Sequence, residues 1–270
     1  GVAIWRPLLD VPRSDLQAYA DEHALLWVED PSNQDPRFSR NFLRLEVLPR
    51  LEARQAGASA ALARTGRLCA EAADLLDDLA DLDLAAMGGT DDHRFNHSMA
   101  LGLTSPRLRN VLRRVLHGAR ALMPDEERLR EAERQMRQET AAAGWRLVLG
   151  SHALCVYRDA WWIEPAGRPV MAVPQVWAGE PRLAWAGGAV AFNAAVGQGI
   201  AASMLHGVCC EIRPRVGGER LRLHSDGPAR GIKNLLQEAA TPPWRRRSLP
   251  LLWVEGRLAW VAGVGVDVAF

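Results

Sequence analysis

The chain has 270 residues, a length that suits about two domains. It is 48% hydrophobic and 24% charged, which supplies a sizeable core and excludes general disorder. The 33 basic and 32 acidic side chains leave a formal charge of +1, which excludes a uniformly basic, histone-like polymer. Lys233 is the one lysine. Arginine is the planar, bidentate phosphate-pairing cation, but so strong a bias is read first as genomic base composition.

Cys69, Cys155, Cys209 and Cys210 are scattered, with two adjacent. That spacing forms neither a disulfide framework nor a CxxC metal site, and it fits a reducing, intracellular compartment. No N-terminal stretch combines a basic start, an apolar run and a small-residue cleavage site. The run 183–210 lacks Asp, Glu, Lys and Arg, but Asn193, Gln198, Ser203, His206 and five glycines interrupt it. A membrane-spanning helix needs about 20 predominantly apolar residues, so the run is read as buried β structure.

In chain order, the first part extends to residue 55. Ser14 and Gln17 have capping-box spacing, and Leu16, Tyr19, Ala20 and His23 follow at helical intervals. A polar loop at 29–36 leads to a helix expected over 40–48 and stopped by Pro49. Glu29, Asp30, Asn33, Asp35, Arg40, Asn41 and Arg44 crowd into sixteen residues. Arg40 and Arg44, four apart on one helix face, could together grip a phosphate or a carboxylate. A capped loop tied by internal salt bridges is an equal alternative.

The second part, 56–165, reads as mainly helical. Leu62, Cys69, Leu76 and Leu79 make one face of a helix over 60–84, with Asp74, Asp77, Asp78 and Asp81 as a solvated acidic face. A loop is expected from Gly88-Gly89 to Asn96. Ser105-Pro106 opens a helix whose stripe Leu108, Val111, Leu112, Val115 and Leu116 faces inward, leaving Arg107, Arg109, Arg113 and Arg114 outside. A further helix begins at Pro124, with Leu129, Ala132 and Met136 inward and acids in its first turn. From Trp145 the period becomes two, giving a hairpin that turns at Gly150-Ser151 and a long second arm, 153–163.

The third part, 166–270, is strand-rich. Between 213 and 247 nine basic residues face three acidic ones, a surplus of six that leaves the rest of the chain at minus five. Gly217–Leu223 reads as a strand. The loop 224–231 runs into a helix carrying Ile232, Leu235, Leu236 and Ala239. Backbone N–H groups at that helix start, beside Arg230 and Lys233, make a natural phosphate cradle, though the glycine spacing is not that of a Walker A loop. Nucleic-acid contact is the preferred reading of this segment, with a solvated basic face as the alternative. Trp244, beside Arg245–Arg247, is a core residue or a stacking platform. His93 and His97 lack the HExxH context of a zinc pair, His206 reads as a buried structural residue, and no metal site or nucleophile–base pair is expected.

Arg6-Pro7-Leu8-Leu9, the stretch Trp27 to Arg44 with its EDPSN…RN..R pattern, and Leu48-Pro49 are similar to the end of the catalytic domain of bacterial tRNA(Ile)-lysidine synthetases. The likeness continues through Leu108–Leu116, Trp161-Trp162-Ile163, the GGERLR segment, Lys233–Glu238 and Pro242–Arg245. It implies an α+β chain: the end of an α/β PP-loop catalytic domain (1–55), a mainly helical tRNA-binding domain (56–165) and a small strand-rich C-terminal tRNA-binding domain (166–270). The implied chemistry is ATP-dependent (with Mg2+) ligation of free lysine to C2 of cytidine 34 in tRNA(Ile) bearing a CAU anticodon. It runs through an adenylated cytidine and releases AMP and diphosphate. The family's SGGxDS loop is missing: no double glycine here (88–89, 187–188, 217–218) precedes x-Asp-Ser. The chain is therefore expected to be a distal fragment, inactive alone and binding no cofactor by itself. Carried over by the resemblance, Asp30, Asn33, Arg40, Asn41 and Arg44 border the active-site cleft. Arg107, Arg109, Arg113 and Arg114, with Arg220, Arg222, Arg230, Lys233 and Arg245, face tRNA. A cytoplasmic location, no membrane contact and a homodimer complete these expectations. The competing class is a non-catalytic RNA-binding module.

Overall fold

The computed structural model describes residues 4–8, 11–89, 93–139, 141–167 and 171–270. Leu9 of the first matched motif, and residues 90–92 of the loop expected over 88–96, lie outside the described residues. The chain divides into two compact units, 1–73 and 74–270.

In the first unit, α1 (Arg13–Glu22) is capped two residues before the expected capping residue, Ser14. Pro12 sits at its N-cap with φ −56°, pre-set for helix entry, and the Ser14 hydroxyl bonds to Asp15 Oδ1 instead (3.0 Å). A 3-10 turn, Pro31–Gln34, precedes α2 (Ser39–Phe42), a π turn over Leu43–Val47, and α3 (Leu48–Arg54). Pro49 does not stop the helix, contrary to the sequence expectation. It falls in the first turn of α3, where its missing N–H costs nothing, and the wide π turn before it separates the two helical pieces. Among the described residues of this unit only Asn41 is buried.

Helix α4 (Ala58–Ala86) contains the unit boundary. Of its expected apolar face, Leu62, Cys69 and Leu76 are exposed, and only Ala80 and Asp83 of the helix are buried.

The second unit has two sheets. Strands β1 (Phe95–Asn96), β2 (Trp145–Leu149), β3 (His152–Tyr157) and β4 (Ala160–Pro165) form an antiparallel sheet in the order β1-β4-β3-β2. The short α5 (His97–Leu101) and the longer α6 (Ser105–Gly118) and α7 (Glu126–Gln138) cover one face of it. The apolar stripes fall where the period predicts: Leu108, Val111, Leu112 and Leu116 of α6 meet Leu129, Ala132 and Met136 of α7, with Leu154, Val156 and Trp161 beneath. The β2–β3 hairpin turns at Gly150, φ 63°, as expected. The single long arm expected over 153–163 is instead two strands. Arg158 takes φ 55°, and Asp159 accepts bonds from the Ser98 amide and hydroxyl, so the chain reverses there. Phe95-Asn96, expected in a loop, pairs with Trp161 and Ala160.

The second sheet is β13-β12-β11-β8-β5, all antiparallel, from β5 (Gln175–Trp177), β8 (Cys210–Pro214), β11 (Pro250–Val254), β12 (Arg257–Val261) and β13 (Gly265–Val266). One face carries Cys210, Ile212, Leu252 and Val254. The other carries Leu251 and Val261 against Ile232, Leu235 and Leu236 of α8 (Ile232–Glu238). The pairs β6 (Arg182–Trp185)/β7 (Gly188–Ala191) and β9 (Arg220–Leu221)/β10 (Arg230–Gly231) complete it, with the short α9 (Pro243–Arg246). Two expectations change here. The charge-free run 183–210 yields one hairpin and then an exposed small-residue loop, with Val196 and His206 both exposed, because Ala and Gly offer little apolar area to bury. The GGERLR segment contributes only two strand residues.

The first sheet meets the α8–α9 segment through the outer face of β3 and β4. Ala153, Cys155, Tyr157 and Trp162 pack with Ala240 and Trp244, the Trp162 and Trp244 rings lying 5.9 Å apart. Burial among these residues pushes the Cys155 thiol up to about 12. Arg158 donates to the Gln237 carbonyl, and Arg246 donates to the Thr241 carbonyl (2.8 Å) and the Tyr157 hydroxyl (2.9 Å). Gly144, at φ +74°, permits the approach: a Cβ there would lie 2.7 Å from the Tyr157 ring and 3.2 Å from Pro243.

Candidate nucleic-acid interface

The polar block of the first unit is a loop tied down from its own helix. Asp30 caps the 3-10 turn by accepting the Ser32 amide (2.8 Å), and that backbone N–H, with the Ser32 hydroxyl, holds its carboxyl below the usual range. The Asn41 amide donates to the carbonyls of Ser32 (2.8 Å) and Asp35 (3.0 Å). Arg44 donates to the carbonyl of Asn33. Asp35 accepts the Arg37 guanidinium, which lowers its pKa. The two guanidiniums expected to act as a pair are thus divided: Arg44 braces the loop, while Arg40 is exposed and has no partner among the described residues. Asp30, Asn41 and Arg44 shape a platform on which Arg40 and the Asn33 side chain are presented.

The arginines of α6 do lie outside its core stripe, but three of four are paired. Arg107 grips the buried Asp83 (Nε–Oδ2 3.1 Å), which raises the arginine pKa. Arg109 binds Glu133 at 2.6 Å, and Arg137 binds the same carboxylate at 3.1 Å. Burial pushes Glu133 upward, yet hydrogen bonds from Ser105, Arg109 and Arg137 outweigh it and leave the carboxyl below its ordinary value. Arg114 binds Asp81 (2.7 Å) and lies 3.7 Å from Asp77, so the acidic face of α4 is partly an arginine dock. Arg113 is half-buried and has no partner among the described residues.

The basic segment is also partly neutralised. Arg213 pairs with Glu211, Arg215 with Glu219 (3.5 Å), Arg230 with Glu238, and Arg245 with Glu164. Arg220 donates to the Ala229 carbonyl across the β9–β10 pair. The expectation that Arg220, Arg230 and Arg245 present bare charge is therefore corrected: each is engaged by a carboxylate or carbonyl brought near by folding. The cradle at the start of α8 is corrected too. That helix has only seven residues, and its Ile232 amide is taken by the Glu219 carbonyl (3.0 Å). Arg222, Lys233 and Arg247 are exposed, and no side-chain partner is found for them among the described residues. Arg247, absent from the expected set, was signalled only as the third member of the Arg245–Arg247 run. Trp244 takes the core role, against Trp162.

Among the described residues no group of three or more His, Cys, Asp or Glu side chains could hold a metal ion; His97 is buried, with Nε2 3.1 Å from the Met136 carbonyl. Also among them, no helix is long and apolar enough to cross a membrane.

Three family models match in chain order: a PP-loop domain at residues 1–51, a TilS substrate binding domain at 101–162 and a TilS substrate C-terminal domain at 210–270. A PP-loop segment followed by two substrate domains defines the class. The chain is 42% identical over 266 residues to a tRNA(Ile)-lysidine synthase of Aromatoleum aromaticum, covering 98% of this chain and 62% of that protein. It is 37% identical to that of Nitrosomonas europaea (100% and 59% covered) and 38% identical to that of Pseudomonas aeruginosa (99% and 60%). Along nearly its whole length the chain is similar to tRNA(Ile)-lysidine synthases. It spans about three fifths of the length of these curated relatives.

Proposed function

We propose that the chain is the distal part of a lysidine-forming ligase: the end of its catalytic domain (1–55), a helical tRNA-binding domain (56–165) and a C-terminal tRNA-binding domain (166–270). The observation that carries this reading is colinear similarity to tRNA(Ile)-lysidine synthases along nearly the whole chain, with the three domain matches in order. The first unit supports it: among its described residues no apolar side chain is buried, and a surface of exposed Trp5, Leu26, Val28 and Phe38 suits a segment that packs on further catalytic-domain structure.

The reaction joins the amino nitrogen of free lysine to C2 of cytidine 34 in tRNA(Ile) with a CAU anticodon. ATP, accompanied by Mg2+, supplies the adenylyl group that turns the C2 oxygen into a leaving group; diphosphate and then AMP depart. Within this chain Arg40 suits a phosphate of the tRNA or the nucleotide, while Asp30, Asn33, Asn41 and Arg44 set the loop that carries it. The residues here do not fit the nucleotide cradle itself, for want of an SGGxDS segment. Purified 1–270 is accordingly expected to release no AMP from ATP with lysine and tRNA, and turnover would refute that assignment. The work belongs in the cytoplasm, with a second copy as a further partner.

On the tRNA side Arg222, Lys233, Arg247 and Arg113 make the phosphate contacts, and Arg107, Arg109, Arg114, Arg220, Arg230 and Arg245 shape the surface around them. Recognition then rests on backbone phosphates and RNA shape. The test is Arg222→Glu with Lys233→Glu, followed by tRNA affinity over a range of salt. Each lost phosphate contact should reduce the slope of log K against log salt by about 0.7–0.9. An unchanged affinity and slope would remove the proposed clamp. A second reading is a non-catalytic RNA-binding module; an in-frame SGGxDS segment upstream of Gly1 in the coding sequence decides for the ligase.

A further inference from the structure

The second sheet carries a cavity of about 820 Å³ that no expected site residue lines. Its walls include Trp177, Phe192, Leu252, Trp260 and Phe270, closed on one side by the small-residue loop 193–202, and no charged side chain lines it. That volume lies within the range of small-ligand pockets, and the missing charge excludes a phosphate as the buried moiety. Its aromatic rings are half-buried, not sealed in the core. Trp177 and Phe192 already stack at 4.3 Å and 17°, aligned by the Trp177 indole N–H on the Glu180 carbonyl (2.8 Å).

Two further features select among neutral occupants. The amides of Asn193 and Gln198 line the cavity, are exposed, and have no partner among the described residues. Such groups pair with the donor and acceptor edges of nucleobases. At the rim, Arg257 lies over the Phe270 ring (5.3 Å) and is exposed, while Arg182 follows the lining Pro181 and is exposed without a partner among the described residues. The nearby Glu180 carboxylate is occupied by the Ala178 amide (2.9 Å). An uncharged aromatic pocket with amides inside and guanidiniums at its mouth is suited to a base whose phosphates stay outside.

We propose that this cavity receives an unpaired nucleobase from the 3′ tail of the bound tRNA. The proposal rests on the tRNA reading above. In a folded tRNA the unpaired bases outside its compact core are those of the anticodon loop and the 3′ tail, and the reading commits the anticodon to the catalytic centre. The tail remains.

The test uses the full chain and two transcripts of the tRNA, one intact and one lacking its unpaired 3′ nucleotides. Wild type should bind the intact RNA about 5- to 100-fold more tightly, the range expected for one stacked base. Phe192→Leu, which keeps the apolar filling but loses the ring face, should bind both RNAs alike. Asn193→Ala with Gln198→Ala, at exposed positions on which folding does not depend, should narrow the gap. Equal binding of the two transcripts by wild type would overturn the proposal, as would variants that weaken both transcripts equally. Binding of neither RNA would refute the tRNA reading itself and this proposal with it.

Discussion

The two compact units bury their side chains in opposite ways. In 1–73 the one buried residue among those described is a polar one, Asn41, and tryptophan, leucine and phenylalanine side chains lie open. In 74–270 four apolar clusters are closed, and even the charged Asp83 and Glu133 are taken inside with arginine partners. The second unit is held by burial, at roughly 25 cal/mol per Å² of apolar area. In the first unit the side-chain hydrogen bonds gather in one loop, tied to the helix that follows it. The two units thus rest on different interactions: closed apolar clusters in one, a hydrogen-bonded polar loop in the other.

Substitutions can break that contrast. The largest effect is expected from Trp161→Ala, which removes a fully buried ring from the second unit and should cost about 3–5 kcal/mol in urea unfolding. The same change at the exposed Trp5 should stay within about 0.5 kcal/mol; a comparable loss there would mean the first unit has a core after all. Next comes Glu133→Gln, which leaves Arg109 and Arg137 without their shared anion and is expected to cost about 2 kcal/mol. It also carries a pH signature. Glu133, Glu164 and Glu219 are all held below the ordinary carboxylate value, opposing the upward push of burial. A carboxyl lowered in the folded state contributes stability that is present above its unfolded pKa and is lost as pH falls through the folded one. The acid limb should therefore steepen below about pH 4, and Glu133→Gln should flatten it; an unaltered limb would show the pair is not linked to folding.

Smaller is Asn41→Ala, which frees the carbonyls of Ser32 and Asp35. Amide exchange over 31–36 should accelerate by about ten-fold, the equivalent of one hydrogen bond of 1.4 kcal/mol, while the melting of the second unit stays put. The smallest is Arg114→Ala, which removes a surface pair with Asp81 and Asp77 and should cost at most about 1 kcal/mol, less at high salt.

Much of the second unit was legible because its signals are local. The stripes of α6 and α7 repeat every three to four residues, and the hairpin turns on a glycine. The reversal at Arg158-Asp159 was not legible: neither residue is Gly or Pro, and what fixes it is Ser98, sixty-one positions away. The same distance in sequence hid the ion pairs. Arg107 and Arg109 each find a carboxylate twenty-four residues away, in opposite directions along the chain. A count of charge along the chain reads a basic patch where the fold pairs four of its nine cations with carboxylates. The face Leu62, Cys69, Leu76 was legible as one stripe of a helix but its exposure was not, because a stripe says where apolar residues point and not whether anything stands opposite.

The contact between the first sheet and the α8–α9 segment, with Arg158 and Arg246 reaching across and Trp244 wedged on Trp162, fixes a span. A ligand that touches α6 and the β9–β10 pair together meets a gauge set before it arrives, with little hinge entropy left to lose. On the tRNA reading proposed above, an RNA arm too short or too long to bridge that span is refused by geometry, whatever its sequence.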